Sequence, residues 1–276
     1  MIRIFVFFFL LALPVWSTYP PEIKDAREET YRKIGNVDLK VWIVGETLKD
    51  QVKPAVVLFF GGGWHSGSPD TLLKHARFLA EKGMICLLAD YRVSSRHGTK
   101  IADCVADAKA AFAWTKKNAD RLGIDSTKIA AGGASAGGHM AACVALAPDP
   151  GDTARPNALL LFNPALVLAP FQGNDFGSRK RLTKEIAGAD PEAISPIHNL
   201  HDKAPPTWIT HGNLDFIVPL KTTKAFCEKM KEKELICELL VASYMPHAFH
   251  YRDPWFTKVM TSAGLFFESL GWLEKE

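Results

Sequence analysis

Short, wholly apolar runs alternate along this chain with longer stretches whose apolar residues recur at helical spacing, a pattern that predicts strands and helices in turn. Thr30 to Ile34 and Asn36 to Val44 read as an initial β pair. Ala55-Val56-Val57-Leu58-Phe59-Phe60 has no polar position at all, as a parallel strand covered on both faces requires. A helix from about Asp70 to Lys82 and a strand from Met84 to Ala89 follow. A longer helix is predicted from Ile101 to Arg121, with Ala102, Val105, Ala106, Phe112, Ala113 and Trp114 supplying its apolar faces. Next come a strand through Lys128-Ile129-Ala130-Ala131, a helical segment from His139 to Leu146 and a strand from Ala158 to Phe162. The last part reads as a strand at Thr207-Trp208-Ile209-Thr210, a helix from Leu220 to Lys231, a strand from Ile236 to Ala242 and a terminal helix near Trp255 to Leu270. Such alternation predicts an α/β architecture: a mostly parallel central sheet flanked by helices on both faces, with functional groups gathered at the carboxyl ends of the strands.

Composition narrows the class. Lys and Arg number 33 against 30 Asp and Glu, and a net charge of +3 is too small to mark a nucleic-acid partner. There is no internal repeat, low-complexity run or linker. At the N-terminus, Met1-Ile2-Arg3 is a short basic start, Ile4 to Leu13 is an uninterrupted apolar run, and Pro14-Val15-Trp16-Ser17 ends it. This predicts a signal peptide over residues 1–17 and a single domain over 18–276, secreted or periplasmic. The apolar run is shorter than the ~20 residues a membrane-spanning helix needs, so no stable membrane insertion is expected.

The chemistry is written in the turns after the strands. Gly133-Ala134-Ser135-Ala136-Gly137 joins a strand to a helix, the context of a nucleophile elbow, where small neighbours let a strained serine stand clear of the sheet. The alternative, a glycine-rich turn that binds phosphate, fits poorly. The central glycine of a dinucleotide fingerprint would fall at Ser135, and no Gly-Lys-Ser/Thr follows. An elbow also predicts an upstream oxyanion loop and a downstream acid and histidine, in that order. The Ala55 strand runs into Gly61-Gly62-Gly63-Trp64, and the hole is assigned to the N–H groups of Gly62, Gly63 and Ala136. The Thr207 strand runs into His211-Gly212-Asn213-Leu214-Asp215, placing Asp215 just past a strand end. After the last strand, Ser243-Tyr244-Met245-Pro246-His247-Ala248-Phe249 supplies His247. Asp215 orients His247, which takes the proton of Ser135 and returns it to the leaving group. His250, Asp202 and Asp190 are rivals displaced from their strand ends, while His211 is expected to bond its own loop and His139 to be a packed core histidine. The histidines lack zinc-ligand spacing, and neither metal nor cofactor is expected.

These motifs, with Ala89-Asp90-Tyr91-Arg92 and Gly138-His139, span Ala55 to Phe249 and resemble the α/β-hydrolase serine esterases. The likeness is to the hormone-sensitive-lipase-like carboxylesterases, and more closely to the small acetyl xylan and feruloyl esterase-like proteins with a Gly-Gly-Gly-Trp loop. One departure stands out: those families carry a histidine just before the glycines, and here that position is Phe60. The resemblance implies that Asp90 braces the loop and that residues 165–206 form a small cap-like insertion over an open, shallow site. Trp64, His65 and Phe249 flank the chemistry and are candidate pocket residues. The implied substrates are short acyl esters, free or linked to polysaccharide, with acetyl or hydroxycinnamoyl groups in view. Two rivals remain: a prolyl-oligopeptidase-like peptidase, whose usual N-terminal propeller has no counterpart here, and a hydrolase-fold binding protein with little turnover. In an exported protein of five cysteines, Cys227 with Cys237 and Cys104 with Cys143 are candidate disulfide pairs, the alternative being that all five are small buried apolar residues.

Overall fold

The computed structural model describes residues 19–46, 51–148, 154–175 and 182–275. The expected signal peptide, 1–17, lies outside the described residues. Eight strands form one sheet: β1 (Arg27–Ile34), β2 (Val37–Val44), β3 (Lys53–Phe59), β4 (Ile85–Ala89), β5 (Ile124–Ala134), β6 (Ala158–Phe162), β7 (Thr207–Gly212) and β8 (Cys237–Ala242). Their spatial order is β1-β2-β4-β3-β5-β6-β7-β8. The first two strands are antiparallel additions at one edge, and the remaining six run parallel.

The described residues form seven α-helices: α1 (Leu73–Glu81), α2 (Ser94–His97), α3 (Ile101–Lys117), α4 (Ala136–Leu146), α5 (Lys184–Ala187), α6 (Leu220–Glu232) and α7 (Trp255–Ser269). Residues of the central strands alternate between two cores, which is why those strands carry no polar side. Val57, Phe59, Leu87, Leu159 and Leu161 pack with α3, α4 and α6. Val56, Leu58, Leu88, Leu160 and Phe162 pack with α1 and α7. Burying one such side chain stabilises the fold by roughly 1.5–3 kcal/mol, so both layers are needed to hold the central strands. No helix among the described residues is long and apolar enough to cross a membrane.

Two expected boundaries move for local reasons. The long helix stops at Lys117 rather than Arg121, because the Asn118 amide donates to the Trp114 carbonyl and the chain then turns through Gly123 at φ 66°. The helix after the elbow begins at Ala136 rather than His139, directly on Ser135.

The connection between β6 and β7 is not a detached layer. Leu166, Ile197, Leu200 and Ala204 join the main core, while Ile194 and Ala187 meet Ile101 in a small cluster of their own. Of the cysteines, Cys104 donates to the Arg92 carbonyl at 3.2 Å and Cys143 to the Ile194 carbonyl at 3.3 Å. The candidate Cys104–Cys143 disulfide is therefore absent, each sulfur being turned to its own carbonyl. Cys227 and Cys237 are also free thiols, although their Sγ atoms lie 2.9 Å apart.

Candidate active site

β5 is flanked by β3 and β6 in the middle of the sheet, and its last residue, Ala134, delivers the chain to Ser135 at φ 54°, ψ −116°. A non-glycine residue at positive φ costs about 1–3 kcal/mol and persists only where its surroundings enforce it. Here they do. The Ser135 N–H donates to the Phe162 carbonyl at 2.9 Å, and the Ser135 carbonyl accepts from His139 N–H at 3.0 Å. A Cβ at Gly133 would lie 2.5 Å, and one at Gly137 1.9 Å, from the Phe59 carbonyl oxygen, so both glycines are required by close backbone approach.

The turn presents Ser135 Oγ 3.0 Å from Nε2 of His247, whose Nδ1–H donates to Asp215 Oδ2 at 2.6 Å. Asp215 is buried, and its Oδ1 accepts the backbone N–H groups of Ile217 and Val218, each at 2.9 Å. Burial alone would raise its pKa; the hydrogen bonds from His211, His247 and Val218 outweigh that and hold the carboxyl well below the usual carboxylate range. The second histidine on this acid, His211, stands 3.2 Å from Oδ2, donates to the Val218 carbonyl and meets the Thr223 hydroxyl. It bonds its own loop, as expected.

The rivals are elsewhere. His250 is buried against His75, ring nitrogen to ring nitrogen at 3.0 Å, and burial drives its pKa far down. Asp202 pairs with Lys233, and Asp190 accepts from Glu192 N–H. His139 accepts from the Trp64 indole N–H, meets the Ile194 carbonyl at 2.7 Å and has its pKa lowered to about 4 by burial.

Opposite the serine, Gly62 and Gly63 take φ of 129° and 62°, and among the described residues neither their N–H groups nor that of Ala136 find an acceptor in the protein. Such unspent donors beside a nucleophile suit a developing oxyanion. Gly62 also closes the turn, its carbonyl accepting from His65 and Ser66 N–H at 3.1 Å. Phe60 fills the place of the usual histidine by stacking on Tyr91, centroids 4.0 Å apart, and the Tyr91 hydroxyl donates to the Phe60 carbonyl at 2.9 Å. Asp90 in turn accepts the Tyr91 N–H at 2.7 Å, and burial raises its pKa to about 6.

A cavity of about 570 Å³ opens on Ser135, walled by Gly61, Gly62, Gly63, Thr71, Ala134, Asn163, Ile217, His247, Ala248 and Tyr251. Trp64, His65 and Phe249 are not part of that wall, which corrects the expected pocket. Trp64, at φ 58°, turns back onto His139; His65 faces outward to the Ser94 hydroxyl; Phe249 is buried against Trp255. Asn163, Thr71, Ile217 and Tyr251 take their place and belong to no catalytic motif. Position at the end of β6 was the one available signal for Asn163.

A serine elbow after one parallel strand, an acid after the next but one and a histidine after the last are the chain order and geometry of an α/β hydrolase. The sequence profile of the alpha/beta hydrolase fold matches residues 56–251, and the chain belongs to that family. Among solved structures it is similar to the thermophilic esterase Est2 of the planctomycete Thermogutta terrifontis with propionate bound, at 38% identity and a TM-score of 0.87, covering 94% of this chain and 99% of that one. Est2 has also been solved with butyrate bound and phosphonylated by sarin. Among curated relatives, Esterase LipC of Mycobacterium tuberculosis is 32% identical over 206 residues, 65% of this chain and 49% of LipC. The probable carboxylic ester hydrolase LipM of the same organism is 28% identical over 74% of this chain and 51% of LipM. The chain thus spans about half the length of the curated relatives it matches.

Proposed function

We propose that this protein is a serine carboxylesterase that hydrolyses short acyl esters through an acyl-enzyme. The observation that carries the reading is the unbroken relay from Ser135 Oγ through His247 to Asp215, opening on a cavity that also presents unspent backbone N–H groups. His247 Nε2 takes the Ser135 proton as Oγ adds to the ester carbonyl, and the N–H groups of Gly62, Gly63 and Ala136 receive the oxyanion. Collapse expels the alcohol, protonated by His247. Water then repeats the sequence on the acyl-enzyme. The low-lying pKa of Asp215 keeps it ionised throughout, where it orients the imidazole and stabilises its protonated form.

Short acyl groups are favoured by the likeness to an esterase solved with propionate and with butyrate. Once the cavity is full, each further CH₂ fails to return the roughly 0.8 kcal/mol that burial supplies, so rates fall with chain length. The leader-like residues 1–17 support export, and with it acetyl or hydroxycinnamoyl esters of polysaccharide as the natural substrates. The test is a graded series of p-nitrophenyl esters with Ser135→Ala as control, alongside chromatography of acids released from acetylated and feruloylated polysaccharide. Faster turnover of emulsified long-chain lipid than of soluble short esters would sink the short-acyl reading. An organophosphonate adduct on any residue but Ser135 would sink the nucleophile.

A further inference from the structure

Asn163 occupies an unusual place. It follows β6, sits at φ 38°, and is held by its own N–H donating to the Thr210 carbonyl at 2.8 Å, while the next residue, Pro164, packs over Gly138 of α4. The side chain is almost wholly buried, yet it forms part of the wall of the Ser135 cavity. Its Nδ2 lies 3.5 Å from His247 Nε2, the nitrogen that must shuttle the proton, and its Oδ1 has no hydrogen-bond partner. A buried carbonyl without a partner costs about 1–3 kcal/mol, so a side chain kept in that state beside the reacting atoms asks for an explanation.

The other polar side chains of the wall are engaged. Thr71 donates its hydroxyl to the Ser68 carbonyl at 2.9 Å and also meets Tyr251, while Ser135 and His247 are bound to each other. Asn163 brings its amide N–H₂ to the His247 side of the cavity, while its Oδ1 stays shut off from solvent without a partner. At 3.5 Å the amide is too distant for a strong direct bond to Nε2, and once Ser135 is acylated both nitrogens are left able to reach one water lying beside them in the cavity. An ordered water needs at least two polar partners, and Nε2 with the Asn163 amide supplies them.

We infer that Asn163 is a positioning residue for the second half of the reaction: its amide holds the water that attacks the acyl-enzyme. The inference rests on the esterase reading above. In this step the water oxygen bonds to the acyl carbon as one of its protons passes to His247 Nε2, and the carbonyl electron pair moves onto the oxyanion. On collapse the bond to Ser135 Oγ breaks, Oγ takes the proton back from Nε2, and the free acid leaves. An amide offers both a donor and an acceptor, and exchange of its two ends by rotation lets Asn163 present either to the water. Acylation has less need of it, because Ser135 Oγ is already 3.0 Å from Nε2 and a p-nitrophenolate leaving group departs without protonation.

The experiment follows the two half-reactions of p-nitrophenyl acetate separately in Asn163→Ala and Asn163→Gly. Glycine accepts the positive φ freely, so agreement between the variants separates the amide from the backbone. Acylation is read as p-nitrophenol release in a single turnover, and deacylation as the decay of the acetyl adduct by intact-mass spectrometry. Deacylation is expected to slow about ten- to a hundredfold, as for other losses of reactant positioning, with acylation nearly unchanged and the acetyl adduct accumulating on Ser135. If both half-reactions slow by the same factor, or neither changes, the assignment is overturned. If wild-type protein releases no more p-nitrophenol than Ser135→Ala, the esterase reading fails and takes this inference with it; the wild-type arm therefore tells the two failures apart.

Discussion

Gly62 and Gly63 are adjacent and both exposed, yet an added methyl group should separate them sharply. A Cβ on Gly62 would lie 2.0 Å from the Ser66 carbonyl oxygen, whereas contacts under 3.0 Å are essentially never seen, so that carbonyl must retreat by at least the difference, about 1 Å. Ser66 cannot yield alone, because its N–H is bonded to the Gly62 carbonyl and the carbonyl of the following residue, Gly67, accepts from Arg96 at 2.9 Å. The whole turn shifts, and with it the two N–H groups facing Ser135. A displacement of ~1 Å typically costs about 10²-fold in rate, and loss of one oxyanion donor about 10²–10³-fold, or roughly 3–4 kcal/mol. On Gly63 the same Cβ meets nothing within 4 Å, and only the left-handed backbone penalty of roughly 1–2 kcal/mol applies, mainly to stability. Gly62→Ala should therefore lose kcat by about a hundredfold or more, while Gly63→Ala keeps most of its kcat and loses a few degrees in Tm. Steady-state kinetics on p-nitrophenyl acetate, paired with calorimetry, measure both. Equal damage from the two substitutions, or a wild-type kcat for Gly62→Ala, would refute the argument.

Further expectations concern the relay and the thiols. His247→Ala should abolish turnover in a folded protein, whereas His250→Ala should lower Tm through lost core packing and leave kcat largely intact, measured on the folded fraction. Asp215→Asn should cut kcat by roughly 10²–10⁴-fold through the wrong imidazole tautomer. Because the folded pKa of Asp215 is depressed, the stability it contributes is fully present above the ordinary carboxylate range and is lost as pH falls through and below it. Acid denaturation followed by circular dichroism should thus be steeper for wild type than for Asp215→Asn, and equal slopes would remove the carboxylate from that role. A small disulfide oxidant should convert Cys227 and Cys237 into a bridge while Cys86, Cys104 and Cys143, all buried, stay reduced; peptide mapping that finds any other pairing contradicts the geometry.

How far the fold could be read beforehand depended on what each signal encodes. Ala158 to Phe162 is bounded correctly because an apolar run buried on both faces ends where polar turn residues begin. The elbow was legible because its glycines answer a backbone contact, the Phe59 carbonyl, that leaves no room for a side chain at either position. The order of strand ends likewise pointed to Asp215 and His247, which the structure brings into one hydrogen-bonded line with Ser135. Side-chain direction on the loops was not legible. Trp64 at φ 58° and Ala248 at φ 63° reverse the chain locally, sending Trp64 and Phe249 away from the cavity that sequence proximity assigned to them. Asn163 belongs to no motif, and its setting arises from the packing of β6 beside β5 and β7. The Cys104 and Cys143 helices share a face of the sheet, but helix position says nothing about where each sulfur points.

The elbow and the cavity wall answer to different masters. Gly133 and Gly137 are crowded by main-chain atoms on several sides, so almost any side chain there must displace backbone. Ile217, by contrast, reaches the cavity from a loop beyond β7, is 68% exposed, and supports no part of the core. If the protein is the proposed esterase, substitution of Ile217 should alter which acyl group is accepted while the relay of Ser135, His247 and Asp215 stays in place. For the protein engineer the same partition marks where a library should be built, and where it would be wasted.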